Sequence, residues 1–265
     1  MIDRAALIEK VRSIIEGGVR PNELLRIALA FRRSELEATM LKQYGGRVLS
    51  GPFAGMRHHG NACGSLLAPK LVGTYEIEIA QKIVDLALDA DVFIDVGCAE
   101  GWYVCGVALL SSSCKLIGID VNALALRAAE QLAELNGVGG RCKFLPSLGD
   151  VEIAVSQKLF VLIDVDGSEI NVLDSLFENK AILNSSIIHF VVESDYRDDG
   201  SSNEDDIVDF MKHRGAQLVE IVRQSKAVRY EMVPDITVSH LDLAVLTIEG
   251  RPLTQSWLIF RMVMD

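Results

Sequence analysis

The stretch that most constrains this chain is 92–109, VFIDVGCAEGWYVCGVAL. An apolar run reaches the acid Asp95, and Gly97 and Gly101 space the turn that follows. The residues beyond return to apolar positions at helical spacing. That order spells a strand, a tight turn and a helix whose first backbone N–H groups face a ligand.

The rest of the chain supplies a sheet for this unit. Apolar strand-like runs at 92–96, 115–121, 142–146, 159–165 and 187–193 alternate with helical patterns at 101–110, 123–136, 168–177 and 204–213. Two late strands follow at 217–223 and 257–264. Strands alternating with helices predict a parallel sheet with helices on both faces. About thirty irregular or partly helical residues, 226–256, precede the last strand. A seventh strand after such a connection is typical of Rossmann-like methyltransferases, where it runs antiparallel beside the sixth. The expected fold is therefore α/β: six parallel strands, an antiparallel seventh and an N-terminal helical extension.

That extension covers 1–73, and the Rossmann-like domain 74–265. Helical periodicity over 3–17 and 22–43 predicts a helical cap, with a lid or a homodimer contact through these helices as the sharper readings. Residues 47–73, rich in Gly, Pro and Ser, read as a long loop holding His58 and His59. Tyr75 and Glu76 open the helix that leads into the central strand.

Composition narrows the partners. A chain of 265 residues with 49% hydrophobic and 24% charged residues is globular. A net charge of −11 without a basic block argues against a nucleic-acid partner. Five cysteines form no CxxC pair, which suits reduced thiols in a cytoplasmic protein. No apolar run approaches the roughly 20 residues that a membrane span needs.

Two cofactors compete for the turn at 97–101. A dinucleotide wants G-x-G-x-x-G, with bare backbone where the pyrophosphate approaches. Here Ala99 stands at the middle position of Gly97-Cys98-Ala99-Glu100-Gly101, and Asp95 is awkward beside a diphosphate. S-adenosylmethionine carries no phosphate but a sulfonium and an ammonium, so a nearby carboxylate becomes an asset. Asp120, 23 residues past Gly97, suits the ribose hydroxyls of either cofactor, and Asp150 is a candidate for the adenine amino group. Trp102 follows the turn and is placed against the cofactor or the helix core, and Tyr75-Glu76 against its methionine end.

Several of these stretches resemble the FkbM-type S-adenosylmethionine-dependent methyltransferases. The resemblance covers roughly 90–195 and rests on DVGCAEG, GID, VVESD and the run Asp164-Val165-Asp166-Gly167-Ser168-Glu169. The last is similar to that family's Asp-Val-Glu-Gly-x-Glu signature. Asp120-Val121 takes the place of the family's Glu-Pro, Leu135-Asn136 matches a Leu-Asn pair, and Glu193 matches a strand-end glutamate. The resemblance implies methyl transfer from S-adenosylmethionine, with a hint of surface-polysaccharide chemistry.

The acids at the strand ends carry the expected chemistry. Asp164 is the candidate for cofactor positioning or base work, and Asp166 and Glu193 are expected to face the substrate. Adjacent strand-end carboxylates also suit a divalent ion, but the Asp-Asn companion is absent and no metal is expected. The acid-lined site favours a hydroxyl of a small molecule or glycan as acceptor. A nicotinamide-dependent oxidoreductase is the rival, disfavoured by Ala99 and by the lack of a Tyr-x-x-x-Lys pair. A catalytically silent binding module on the same fold is the third reading.

Overall fold

The structure is a computed structural model that describes residues 4–18, 21–153, 158–197, 199–225, 233, 236–251 and 255–264. The chain divides into two compact units. The first comprises Met1–Gly60, Ser65–Tyr75 and Val228–Glu249; the second comprises Asn61–Gly64, Glu76–Ala227 and Gly250–Asp265. The chain passes between the units at Gly60/Asn61, Gly64/Ser65 and Tyr75/Glu76, and residues 228–249 group with the N-terminal helices.

The first unit is helical: α1 (Arg4–Glu16), α2 (Pro21–Tyr44), α3 (Leu67–Val72) and α10 (His240–Thr247). Pro21 opens α2, where its missing N–H costs nothing, and Gly45 and Gly46 end it in left-handed backbone. Arg32 of α2 makes a fork-on-fork pair with Asp242 of α10, Nε to Oδ1 at 2.7 Å and a second N–H to Oδ2 at 2.8 Å. Residues 47–73 are not a bare loop. Val48 donates to the Met56 carbonyl and Leu49 to that of Leu71, and α3 lies within the segment with all six residues buried. His58 is buried and its Nδ1 accepts the Gly60 N–H at 3.0 Å, a loop-packing role.

The second unit holds a seven-stranded sheet: β1 (Val92–Val96), β2 (Lys115–Ile119), β3 (Cys142–Leu145), β4 (Lys158–Ile163), β5 (Ile187–Glu193), β6 (Gln217–Arg223) and β7 (Ser256–Val263). Its helices are α4 (Ile77–Asp89), α5 (Trp102–Leu110), α6 (Ala123–Leu135), α7 (Glu169–Glu178), α8 (Lys180–Leu183) and α9 (Glu204–His213). The strand order is β3-β2-β1-β4-β5-β7-β6. Strands β1 to β5 pair in parallel, and β7 runs antiparallel to both β5 and β6. This is the expected Rossmann-like methyltransferase sheet, with β7 inserted between β5 and β6.

Burial explains the apolar strands. All five residues of β1 are buried, because helices cover both faces of a parallel sheet. Phe93 and Phe160 stack across β1 and β4 with ring centroids 5.0 Å apart. The order of connections reverses between β1 and β4, and an open α/β sheet binds its ligand beyond the carboxyl ends of strands at such a point. Asp95 lies within β1, and Asp120, Asp164 and Glu193 lie at the ends of β2, β4 and β5.

Candidate active site

The turn after β1 is held by backbone. The Gly97 and Cys98 N–H groups both donate to the Ile119 carbonyl, at 2.8 and 3.0 Å. Across the sheet, the Asp164 N–H donates to the Val96 carbonyl at 2.9 Å. A Cβ on Gly97, whose φ is +87°, would lie 1.7 Å from the Asp164 carbonyl oxygen. No other residue type fits there. Gly101, with φ +79°, starts α5.

Ala99 also adopts left-handed backbone, with φ 48°. For an L-residue this costs on the order of 1 kcal/mol, and Asp120 offsets it. One Asp120 oxygen accepts the Ala99 N–H at 2.9 Å and the other accepts the Asn122 N–H at 2.7 Å. Two contacts leave the carboxylate acceptor capacity for a ligand. Beside it Val121 is 92% exposed, an apolar side chain placed openly at the strand end. Asp150 is exposed in the 3-10 turn Leu148–Asp150.

Other residues expected to meet the cofactor turn inward. Cys98, Gly101 and Trp102 are buried, and burial pushes the Cys98 thiol pKa well up. Glu100 is 0% exposed, and its carboxylate accepts the Cys63 N–H at 2.8 Å. It tethers the short segment 61–64 and leaves no surface for a ligand. The Tyr75 ring lies within the helical unit, 4.6 Å from the Lys70 ammonium.

The other end of the site is built from charge. Glu76 sits in left-handed backbone just before α4, buried, and accepts hydrogen bonds from Tyr103 at 2.5 Å and from Arg251. Glu193 is buried at the end of β5, where a single oxygen, Oε1, accepts from both Arg251 and Gln255. Carboxylate oxygens of Glu76, Asp164 and Glu193 lie within 4.8 Å of one another, and among the described residues the guanidinium of Arg251 reaches Glu76 and Glu193. Its face lies 5.6 Å from the Trp257 ring centroid.

Among the described residues one guanidinium faces three carboxylates. Loss of water, and then the Glu76 charge, push the Asp164 carboxyl up to about 7, against the opposing pull of Arg251. Burial and the Asp164 charge raise Glu193 well above the ordinary glutamate range. The crowding therefore favours the protonated forms of Asp164 and Glu193. Asp166 is exposed, with φ 47°, and the Gly167 N–H beside it donates to Glu169 at 2.8 Å. Buried Glu169 also accepts from Asn203, so the last acid of the sequence signature serves the fold.

The structure brings Glu76, Asp164 and Glu193 together, and sets Asp120 and Val121 on the β2 side of the turn. Glu193, expected to face a substrate, is buried among protein donors. Arg251 and Gln255 are the residues of this group that the sequence does not single out. Both stand just before β7, far from the acids in sequence, and no local spacing marks them. His189 is half-buried within β5, where burial lowers its pKa.

Residues 88–193, from the end of α4 to the end of β5, match the family profile described as a methyltransferase domain. Over these residues, two fifths of its length, the chain is similar to a methyltransferase domain. The cofactor of such a domain is S-adenosylmethionine. No curated protein matches the sequence. Among solved structures, the chain is similar to a tRNA methyltransferase of B. subtilis, with 9% identity, 70% of this chain and 65% of that one covered, and a TM-score of 0.44. A tRNA methyltransferase of M. jannaschii gives 11%, 71%, 48% and 0.44. A SAM dependent methyltransferase of Aquifex aeolicus gives 14%, 74%, 97% and 0.47. The chain thus spans 65% and 48% of the length of the first two, and their acceptors are their own.

The residues of the methyltransferase domain fit that cofactor. Asp120 keeps acceptor capacity for ribose hydroxyls, and Val121 offers an open apolar face to a base. Carboxylates stand around Asp164, where a cationic amino-acid end is favoured over a pyrophosphate. Among the described residues, no helix is long and apolar enough to cross a membrane.

Proposed function

We propose that this methyltransferase domain acts on a hydroxyl oxygen of a small molecule or glycan, with Asp164 as the base. The observation that carries this reading is a part-buried carboxylate at the end of β4 whose pKa is pushed up to about 7. A base is most effective when its pKa lies near the working pH. When bound, the cofactor supplies a methyl group on a sulfonium, whose S–C bond breaks with its electron pair left on sulfur as the acceptor oxygen forms the new C–O bond. Asp164, ionised, takes the hydroxyl proton. Asp166, exposed beside it, is the residue we expect at the acceptor. Asp120 and Val121 hold the nucleoside, and the turn at Gly97 sets the distance between the two ends.

The FkbM-type resemblance supports a glycan acceptor, and the acid-lined strand ends support a polar one. We also propose a homodimer through the N-terminal helices, for which exposed Ile8 and Ile15, one heptad apart on α1, offer an apolar stripe. The deciding experiment titrates S-adenosylhomocysteine and NAD calorimetrically. It then follows labelled methyl transfer to a panel of sugars and small alcohols with the native chain and Asp164→Asn. Binding of S-adenosylhomocysteine without transfer to any hydroxyl would favour a silent binding module. Undiminished transfer by Asp164→Asn would remove Asp164 as the base.

A further inference from the structure

Glu169 serves the fold, but not the helix that it opens. Ser168 at the N-cap of α7 makes no side-chain cap, and Glu169, the first residue of that helix, reaches back instead. Its Oε1 accepts the Gly167 N–H at 2.8 Å, and its Oε2 accepts from the Asn203 amide nitrogen at 2.6 Å. Asn203 is used in the same way. It stands at the N-cap of α9, where asparagine ordinarily accepts from the first N–H groups of its own helix, yet it makes no such bond. Its amide oxygen accepts the Asp195 N–H at 2.8 Å, and its own N–H donates to the Asp195 carbonyl at 3.0 Å. Neither helix has a side-chain cap, and side chains at both N-termini instead join the turn after β4 to the turn after β5.

The join has a direction. Gly167 and Asn203 both point donors at Glu169, and the Asp195 N–H fixes which way the Asn203 amide faces. Position 169 must therefore accept on both oxygens. Glu169 is 1% exposed, and loss of water pushes its pKa up against the bonds from Gly167 and Asn203. Asp166 and Gly167 both have left-handed backbone, with φ 47° and 91°. The peptide between them carries the N–H that Glu169 holds, and its orientation sets which way the exposed Asp166 side chain leaves the turn. A Cβ on Gly167 would lie 3.6 Å from Asp195 Oδ2, so the two turns are in contact.

We propose that Glu169 and Asn203 are positioning residues: together they hold Asp166 in its left-handed turn beside the end of β5, ready to meet the acceptor without rearrangement. This rests on the reading that Asp166 lies at the acceptor. Neither Glu169 nor Asn203 touches the acceptor on this account.

The direction of the join gives a rescue test. In Glu169→Gln one oxygen must serve two donors, and a bond is lost. Adding Asn203→Asp restores an acceptor for each donor: the new amide nitrogen at 169 donates to the new carboxylate at 203, which still accepts the Asp195 N–H. Aspartate is also as good an N-cap as asparagine.

The first readout needs no acceptor. Asp-Gly occurs in the sequence only at Asp166-Gly167 and Asp199-Gly200. Carbon-13 in aspartate carbonyls and nitrogen-15 in glycine therefore select two amide signals in the full chain, and Gly200→Asn assigns them. Glu169→Gln is expected to speed hydrogen exchange at Gly167 about tenfold or more, as loss of a bond to a charged acceptor does, and the double variant to return it to the native rate. The second readout is methyl transfer to any sugar or alcohol that responds. There kcat/KM should fall about tenfold in Glu169→Gln, with affinity for S-adenosylhomocysteine unchanged, and recover in the double variant. Native exchange at Gly167 in folded Glu169→Gln, or no recovery in the double variant, overturns the proposal. Where Glu169→Gln does not fold, Asn203→Ala, expected to act in the same direction by less, decides in its place. A lower melting temperature with undiminished transfer would make Glu169 a structural residue and overturn it too. If the native chain methylates no hydroxyl, the hydroxyl reading fails, and exchange at Gly167 still decides this one.

Discussion

Around Gly97 the site is held by main chain; around Asp164 it is held by side-chain charge. At the first place, backbone N–H groups of Gly97 and Cys98 share one carbonyl, and a missing Cβ lets the end of β4 come close. At the second, among the described residues, three carboxylates crowd one guanidinium, and burial favours their protonated forms at Asp164 and Glu193. The first arrangement is rigid and indifferent to pH, and the second responds to each proton. A domain that must hold one ligand still and move a proton on another needs both kinds of construction.

The sharpest way to break that division is Gly97→Ala, because the two regions touch there. The new Cβ would meet the Asp164 carbonyl in a backbone conformation that L-residues avoid. The expected cost is about 3 kcal/mol or more of folding stability, read by urea denaturation, with loss of S-adenosylhomocysteine binding. Asp164→Asn keeps the shape and removes the base. Transfer to a responsive acceptor should fall on the order of a hundredfold or more, with calorimetric affinity for the cofactor product reduced far less.

The charged region should also respond to pH. Asp164 titrates at about 7 in the fold and at about 3.9 when unfolded. Its stabilising contribution is fully present below the unfolded value and is lost as pH rises through about 7. The melting temperature of the native chain should therefore fall between pH 5 and pH 8 relative to that of Asp164→Asn, while methyl transfer rises over the same range. Parallel melting curves for the two proteins would contradict this sign.

Smaller effects belong to the nucleoside side. Asp120→Ala removes the clamp on Ala99 and Asn122, and should weaken cofactor binding by about 10- to 100-fold at all pH values. Val121→Ser removes apolar contact from a residue already in water. It should weaken binding about threefold with no change in thermal stability.

The two regions differ equally in how far the sequence reveals them. The turn is legible because its requirements are local: Gly97, Ala99 and Gly101 stand within five residues, and Asp120 ends the next apolar run. The carboxylates of the second region are legible one at a time as strand-end acids. Their grouping is not, because Arg251 lies 58 residues from Glu193 and 175 from Glu76, and nothing in the spacing joins them. Glu100 misleads for the opposite reason. It stands within the glycine-spaced turn, yet its side chain points to Cys63, and period alone does not reveal direction. In the fold, all seven strands are legible from apolar runs, whereas α3 and α8 are too short to show a period.

The place of β7 has a consequence for the order in which the sheet can be assembled. In the sheet, β6 pairs with β7 alone, and β7 is made later. On the ribosome β6 must therefore wait unpaired, with β5 showing an open edge, until β7 has cleared the exit tunnel. Arg251 and Gln255 emerge in that same last span, so the acids of the site remain without their cation while the five parallel strands are already complete. Chains ending at residue 240 and followed by a flexible linker long enough to bring β6 out of the tunnel should be cut by protease within β6 and spared within β1 to β4; equal protection of β6 would show that it finds a partner earlier.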